Sequence, residues 1–315
     1  MKLKEPQITR RKCVALIAAA AAATQAPGFC WGEKDRKFLR MAVSIETLAG
    51  ANINDARAAY RVWINEISRT SEQVPVDIVP DVFIPSENLI RDIRQGTVQC
   101  YGITALEFAK VVDLTDPEFV VIQDYLADGL EYVLLVHASS PFKRIADLRG
   151  GKIGALLHRD MVLLPAWLDI MLAASNLPAA EHFFGSLSFH DKVDQVLLPV
   201  FFRHSDGACV GRQSWETAVE LNPQLGRDLR PLAVSPRIVP DAVFFRRNCD
   251  AEGRKLLIDL MLHISNTVAG KQIATLYQSN GFVIRQISAM KNSLEMVRDF
   301  ERLPAQLLRS RKGLS

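Results

Sequence analysis

The sequence lacks both the cysteine spacing of a metal site and a hydrophobic run long enough to cross a membrane. Its five cysteines lie at positions 13, 30, 100, 209 and 249, and no two have the spacing of a zinc-binding pair. Glycine and proline number only 17 and 15 among 315 residues, too few for a disordered chain. With 49% hydrophobic and 23% charged residues, the composition predicts a globular protein of about two domains.

The N-terminus has the pattern of a signal peptide. Five basic side chains precede an apolar, alanine-rich stretch over residues 13–23, which is too short to span a bilayer of about 30 Å. We predict that residues 1–32 direct export to the periplasm, with cleavage after Ala23 or Gly32; a frayed N-terminal helix is the alternative. The phrase "TRRKCVAL" loosely resembles a twin-arginine signal without its usual aromatic residue, so the Sec route and the twin-arginine route both stay open.

Little net charge remains once the signal peptide is set aside. Residues 1–32 hold five of the 38 Lys and Arg and one of the 35 Asp and Glu, so their removal changes the formal net charge from +3 to −1. A near-neutral chain offers no general attraction to phosphate backbones or anionic lipids. The sequence therefore argues against nucleic acid and membrane surfaces as partners.

Strand and helix patterns alternate along the rest of the chain. Apolar runs such as "VQCYGIT", "EYVLLVHA", "KIGAL" and "GACVG" predict short buried strands, and amphipathic segments between them predict helices. Ser86 and Gly96 are the expected start and stop of one helix, and Pro165 lies in the first turn of another. The alternation predicts an α/β protein with mainly parallel sheets. After Gly281 we expect a polar C-terminus without regular structure.

Several phrases, taken in order, resemble one known family. They are "AVSIETLAG", "IRQGTVQCYGITALEFA", "SSPFKRIADLRGGKIG", "SFHDKVDQV" and "NPQLGRDLRPLAVSPRIVPDAVFFRR". In this order they are similar to the PhnD-like periplasmic substrate-binding proteins of phosphate, phosphite and phosphonate ABC transporters.

The resemblance implies a two-lobed fold of the periplasmic-binding-protein type II class, with two doubly wound lobes joined by two crossing strands. Lobe 1 is expected over residues 33–136 plus 236–315, and lobe 2 over 137–235. The lobes of such a "Venus flytrap" hinge shut around a solute. The implied function is capture of a small, anionic solute by a monomer, which delivers it to an ABC permease without catalysis and without a cofactor.

In such a fold the turns that follow the strands line the cleft. Ser44 and Thr47 in the first turn offer hydroxyl donors, although both residues also suit an ordinary turn or cap. In the second turn, Tyr101 and Gly102 match a family tyrosine–glycine pair that reaches the ligand, and Thr104 follows them. A half-buried strand tyrosine is the alternative for Tyr101.

The third turn departs from the family pattern. Aligned through its apolar-proline segment, the family's hydroxyl-rich turn corresponds to His158, Arg159, Asp160 and Met161. Arg159 offers a bidentate site for a carboxylate or phosphate, while Asp160 opposes an anion or caps the helix. The departure weakens the case for inorganic phosphate and simple phosphonates and favours a different organic anion.

Two further candidates follow later strands. His190 matches a family histidine at a strand end, and Arg212, after "GACVG", is a second candidate cation in the cleft. Alternatively, His190 is a surface residue beside a capping Asp191.

Two other functions stay open. The same fold serves as the ligand-sensing partner of a membrane sensor kinase or of a redox system. An enzyme that uses His158, Asp160, His190 and Asp191 with a metal is a remote alternative, because metal-binding helix spacing, a nucleophile elbow and a glycine-rich phosphate loop are all missing.

Overall fold

The computed structural model of the chain describes residues 40–48, 52–70, 83–276 and 279–304. The predicted signal peptide and residues 305–315 lie outside this part of the chain. Within the described ranges, no helix combines the length and apolarity that a membrane crossing requires.

Eleven strands occur in the described part of the chain. They are β1 Met41–Ser44, β2 Phe83–Ile84, β3 Cys100–Thr104, β4 Phe119–Gln123, β5 Tyr132–His137, β6 Lys152–Leu156, β7 Ser186–His190, β8 Gly207–Gly211, β9 Leu229–Val234, β10 Asp241–Phe245 and β11 Phe282–Gln286. The first sheet has the order β11-β4-β10-β3-β1-β2, and the second sheet has the order β7-β6-β8-β5-β9.

The helices pack on these two sheets. They are α1 Ile53–Thr70, α2 Ser86–Gln95, α3 Ala105–Phe108, α4 Leu164–Ala174, α5 Ala180–Phe183, α6 Val193–Phe201, α7 Arg212–Leu221, α8 Pro223–Asp228, α9 Ala251–Leu262, α10 Val268–Leu276 and α11 Lys291–Glu301. Short 3-10 turns follow β1, β4 and β6, at Ile45–Leu48, Asp124–Leu126 and Arg159–Met161.

Both sheets are mixed rather than mainly parallel. β1 pairs in parallel with β2 and β3, and β6 pairs in parallel with β7 and β8. β10 and β11 run antiparallel to their neighbours in the first sheet, and β5 does so in the second. The alternation of strands and helices predicted the parallel centres, but it carried no signal for the antiparallel strands added beside them.

Two segments of chain cross between the sheets. Residues 127–131 lead from the first sheet into β5, and residues 235–240 lead from β9 back into β10. Leu130 and Ile238 pair there, each backbone N–H donating to the other's carbonyl oxygen at 2.8 and 2.9 Å. Gly129 has φ 72°, and a side chain at this position would meet the Ile238 backbone. The paired segments thus form a compact double crossing.

Local sequence explains several helix boundaries. Gly96 ends α2 in the left-handed conformation with φ 80°, as predicted, because glycine adopts it without strain. Pro165 lies in the first turn of α4, where its missing N–H costs nothing. The prediction for Ser86 was wrong: Pro85 is the N-cap of α2, and no side chain caps that end.

The expectation for the C-terminus was also wrong. Residues after Gly281 form β11, which pairs with β4 on the edge of the first sheet, and then α11. The run "FVIRQ" contains the β-branched residues of a strand, and Leu294 and Val297 are spaced for one helix face. Cys100 in β3 and Cys209 in β8 are both buried and unbridged.

Candidate functional site

A cavity of about 820 Å³ lies where the strands of the second sheet end. Leucines from the part of the chain between β6 and β9 contribute apolar surface to it: Leu156, Leu197, Leu198, Leu221 and Leu225. Tyr125, Leu130 and Asn280 line it from the first sheet and the crossing. The volume suits a small organic molecule, since ligand cavities in proteins measure about 300–1,000 Å³.

Two helices begin at the wall of this cavity. α6 follows β7 and α7 follows β8, and neither helix has a side-chain cap at its N-terminus. The first-turn residues Gln213 and Ser214 line the cavity. Uncapped N–H groups at a helix N-terminus carry partial positive charge and favour anionic groups. Carboxylates also line the wall, from Asp160, Asp191 and Asp194.

Arg212 is the one predicted cation in the cavity wall. Its Nε donates to the Glu131 carboxylate, and Arg237 approaches the same carboxylate at 3.8 Å. Glu131 and Arg237 lie in the two crossing segments. The cavity wall and the crossing are therefore joined through one ion-pair network.

The turn after β6 places its three predicted residues differently. His158 is the N-cap of the turn, and its Nδ1 lies 3.3 Å from the Asp160 backbone nitrogen and 3.4 Å from the Asp160 carboxylate. His158 and Asp160 line the cavity, whereas Arg159 is absent from the wall and only 6% exposed. Arg159, whose guanidinium was predicted to contact a ligand, instead bonds to another residue of the protein.

Arg159 and Asp160 both bond to Tyr125. The Arg159 guanidinium donates to the Tyr125 hydroxyl, which donates in turn to Asp160 Oδ1 at 2.9 Å. Arg159 Nε lies 3.4 Å from the same carboxylate oxygen. Burial opposes ionisation of Asp160, yet the hydrogen bond with His158 and the charge of Arg159 hold its pKa below the ordinary value. Asp160 is thus the anionic centre of the network.

Asp241 lies near this network at the start of β10. Burial raises the pKa of Asp241 to about 6; the charge of Arg159 opposes this and the charge of Asp160 adds to it. Gln123 Nε2 donates to Asp241 Oδ1 at 3.0 Å. Gln123 Oε1 and Asp241 Oδ2 are buried acceptors with no donor among the described residues.

The predicted hydroxyls bond to the protein itself. Ser44 Oγ donates to Glu107 Oε1 at 2.5 Å, and Thr104 Oγ1 donates to Glu107 Oε2 at 2.9 Å. Thr47 Oγ1 donates to the Ser44 carbonyl at 2.8 Å. All four residues are buried and none lines the cavity. Thr104 and Glu107 form a capping box, a T-x-x-E pattern from which sequence reasoning could have found Glu107.

Tyr101 and Gly102 lie inside the first sheet. The Tyr101 side chain is fully buried, stacks with Phe244, and shares a 2.7 Å hydrogen bond with Thr115 Oγ1. Burial raises the pKa of Tyr101 to about 12. A side chain at Gly102 would press against Val43 on the neighbouring strand. Neither residue lines the cavity, so we leave both out of the proposed ligand contacts below.

His190 stands beside the cavity rather than in its wall. Its Nε2 lies 3.0 Å from Ser188 Oγ, and the next residue, Asp191, supplies the lining group. Sequence reasoning missed Tyr125, Asn280 and Glu131. A single "DYL" turn or "SNG" segment carries no motif, so only tertiary contacts could reveal the first two. No group of three or more His, Cys, Asp or Glu suited to a metal occurs within the described ranges.

Comparison with known proteins gives one family and one fold. The sequence model of the family described as "ABC transporter, phosphonate, periplasmic substrate-binding protein" matches residues 51–288. Among solved structures, PhnD1 from Prochlorococcus marinus in complex with methylphosphonate aligns at 16% identity with a TM-score of 0.51, covering 85% of this chain and 100% of that one. A Xanthomonas citri protein bound to ATP aligns at 14% identity with a TM-score of 0.54, covering 84% and 97%. The search of curated proteins returned no match.

Proposed function

Because the chain belongs to the family of periplasmic substrate-binding proteins of phosphonate ABC transporters, we propose that it captures a small organic anion in the 820 Å³ cavity. We further propose that the protein is exported by residues 1–32, through the Sec or the twin-arginine route, and acts as a monomer. The loaded protein then delivers its solute to an inner-membrane permease. No step of this cycle makes or breaks a covalent bond.

The observation that carries the proposal is the meeting of Arg212 and two helix N-termini at one cavity. The N–H groups of α6 and α7 and the guanidinium of Arg212 together favour an anionic group near Gln213 and Ser214. The leucines of the wall favour an apolar body on the same solute. Asp191 and Asp194 are exposed, so solvent screens their repulsion of that anion.

A compact phosphate or simple phosphonate fits this cavity poorly. It leaves the leucine surface unused, and it meets the Asp160 carboxylate where a hydroxyl-rich turn was expected from the family resemblance. The hydroxyls of Ser44, Thr47 and Thr104 bond inside the protein and do not face the cavity. We therefore propose an organic anion larger than methylphosphonate.

Closure is proposed to occur about the double crossing. Lobe 1 holds the first sheet and lobe 2 holds the second, with hinges in residues 127–131 and 235–240. The proposal puts the first lobe boundary before β5, whereas the sequence predicted it near residue 136, because the described partners of β5 are β8 and β9 of the second sheet. Glu131 supports the assignment, since it connects Arg212 in the cavity wall to Arg237 in the other crossing segment.

The test is a thermal-shift screen of the protein purified from the periplasm. Organic anions with apolar groups are compared with phosphate and methylphosphonate, each at about 1 mM. A ligand at about 100 times its dissociation constant adds about 2.7 kcal/mol to stability and raises the melting temperature visibly. We expect such a shift for at least one organic anion and none for phosphate. A screen in which phosphate or methylphosphonate raises the melting temperature and no larger organic anion does contradicts the proposal.

The genes beside this one test the delivery step separately. Permease and ATPase genes are expected for transport. A neighbouring histidine kinase or dehydrogenase gene, without a permease gene, would instead assign the same binding site to a sensing or redox system.

A further inference from the structure

The strand ends of the first sheet form a sealed polar layer. Ser44, Thr104, Gln123 and Asp241 stand at this edge with side chains 0, 2, 4 and 4% exposed. In open α/β sheets the carboxyl edge of the parallel strands is where ligands are expected. Polar side chains gathered at such an edge need hydrogen-bond partners, since unsatisfied burial is costly.

The cover over this edge comes from the second sheet. The turn Arg159–Met161, which follows β6, packs against the turn Ile45–Leu48, which follows β1. Arg159 and Met161 are each only 6% exposed. Arg159 brings a positive charge to the layer, and its guanidinium carbon lies 5.6 Å from the centre of the Tyr125 ring.

Tyr125 is fixed to the first sheet. It lies in the turn after β4, whose first residue, Asp124, accepts a hydrogen bond from Ser279 Oγ at 2.9 Å. The Asp124 backbone N–H donates to the Gly281 carbonyl at 3.0 Å, just before β11. Asp160, its partner, is held to the second sheet by the Tyr132 hydroxyl, which donates to the Asp160 carbonyl at 2.7 Å. The Tyr125–Asp160 bond therefore joins the two sheets directly.

We propose that Tyr125, Arg159 and Asp160 form a built-in latch that fills the strand-end position of the first sheet with the chain's own groups. The latch makes the contacts between the two sheets that a solute would otherwise make there. It confines the solute to the cavity beside the second sheet, and it keeps the closed arrangement populated in the protein alone. The latch consists of the chain's own residues and does not depend on which solute the cavity takes.

A matched pair of tyrosine variants tests the latch. Tyr125→Phe removes the hydroxyl that bonds to Asp160 and so joins the two sheets. Tyr101→Phe removes a buried hydroxyl whose partner, Thr115, lies beside the same first sheet. Loss of a hydrogen bond to a charged group changes an equilibrium by about tenfold or more. Tyr125→Phe is thus expected to lower the ratio of closed to open protein by about tenfold, and Tyr101→Phe to leave it unchanged.

Small-angle X-ray scattering of the periplasmic protein without added solute is the measurement. We expect a compact wild type, a larger radius of gyration for Tyr125→Phe, and a Tyr101→Phe curve that superimposes on wild type. Identical curves for wild type and Tyr125→Phe overturn the latch, as does a wild type that scatters as an open form.

A second variant protects the test against misfolding. If circular dichroism shows that Tyr125→Phe does not fold, Asp160→Asn carries the same expectation, because it removes the charge that Arg159 and His158 face. A failed solute screen leaves this experiment intact, so failure of the latch and failure of the proposed function are distinguishable.

Discussion

The strand ends of the two sheets differ in exposure. At the first sheet, Ser44, Thr104 and Asp241 are buried and bonded beneath the turn that carries Arg159. At the second sheet, the helix starts at α6 and α7 line a cavity of about 820 Å³. The same arrangement of strand, turn and helix thus gives a sealed polar layer in one place and a binding cavity in the other. The difference is that the chain's own side chains make the hydrogen bonds at the first edge, whereas the second edge lines a cavity.

The largest effect is expected from removing the positive charge of Arg159 at the buried strand ends of the first sheet, called the sealed edge below. Arg159→Ala leaves the half-buried Asp160 carboxylate, whose charge also acts on Asp241, without the neighbouring guanidinium. Breaking a buried ion pair from one side costs about 3–5 kcal/mol, so we expect that loss in free energy of unfolding by urea denaturation. Arg227→Ala, on the exposed surface of α8, is the control and is expected to change little. A loss below about 1 kcal/mol for Arg159→Ala contradicts the account.

The second prediction uses pH to examine the same edge. The folded pKa of Asp241 is raised to about 6 from an ordinary value of 3.8, so folding favours its protonated form. That contribution is full below pH 3.8 and is lost as the pH rises through 6. Asp241→Asn imitates the protonated form and is expected to be about 3 kcal/mol more stable than wild type at pH 7, at most.

Near pH 4 the two proteins are expected to have nearly equal stability. Asp160, whose pKa is lowered, loses its contribution only as the pH falls below its ordinary range, and it does so in both proteins. His158 is also common to both. Urea titrations across pH 4–7 measure the difference. A difference that does not change with pH would remove Asp241 as the titrating group.

A third change loosens the sealed edge without touching Arg159. Glu107→Gln replaces one carboxylate oxygen, which accepts from Ser44 or Thr104, by an amide donor. A buried group left unsatisfied costs about 1–3 kcal/mol, and that loss of unfolding free energy is expected. Glu220→Gln, exposed on α7, serves as the matched control. Solute affinity is expected to stay unchanged; a large loss of affinity would place this edge in the binding site after all.

The smallest effect is expected at the open edge. Arg212→Gln removes the guanidinium from the cavity wall while keeping a polar side chain. We expect about tenfold weaker affinity for the anion that the solute screen identifies, or about 1.4 kcal/mol by calorimetry. Arg227→Gln changes the charge equally outside the cavity wall and is expected to bind as wild type does. Equal affinity of both variants would exclude Arg212 from anion binding.

Sequence patterns predicted the helices and strands better than they predicted the contacts between distant parts of the chain. The predicted place of Pro165 in the first turn of α4 is confirmed, because Pro165 and the apolar run that follows are local signals. The short strand β4 was missed, and so were β11 and α11. An edge strand such as β11 depends on its partner β4, some 160 residues earlier in the chain, which no local pattern reports.

In the candidate site, too, local signals were predictable and long-range contacts were not. His158, Asp160 and Arg212 were named from the turns that follow strands, and all three line the cavity. Arg159, next to two of them, is buried behind the wall, where its guanidinium donates to the Tyr125 hydroxyl. Which residues of a turn reach the cavity is set by their distant partners, so sequence alone could name the turn but not tell which of its side chains line the cavity.

The central claim, that the sealed edge binds no phosphonate, is tested most directly by isothermal titration calorimetry. Methylphosphonate is titrated into the protein purified from the periplasm, at concentrations up to about 1 mM. A dissociation constant of about 1 mM corresponds to a binding free energy of about −4.1 kcal/mol, so tighter binding than this would be detected. The account predicts only heats of dilution, because Arg159 and Asp160 occupy the position at the strand ends. A saturating curve with a micromolar dissociation constant would contradict it.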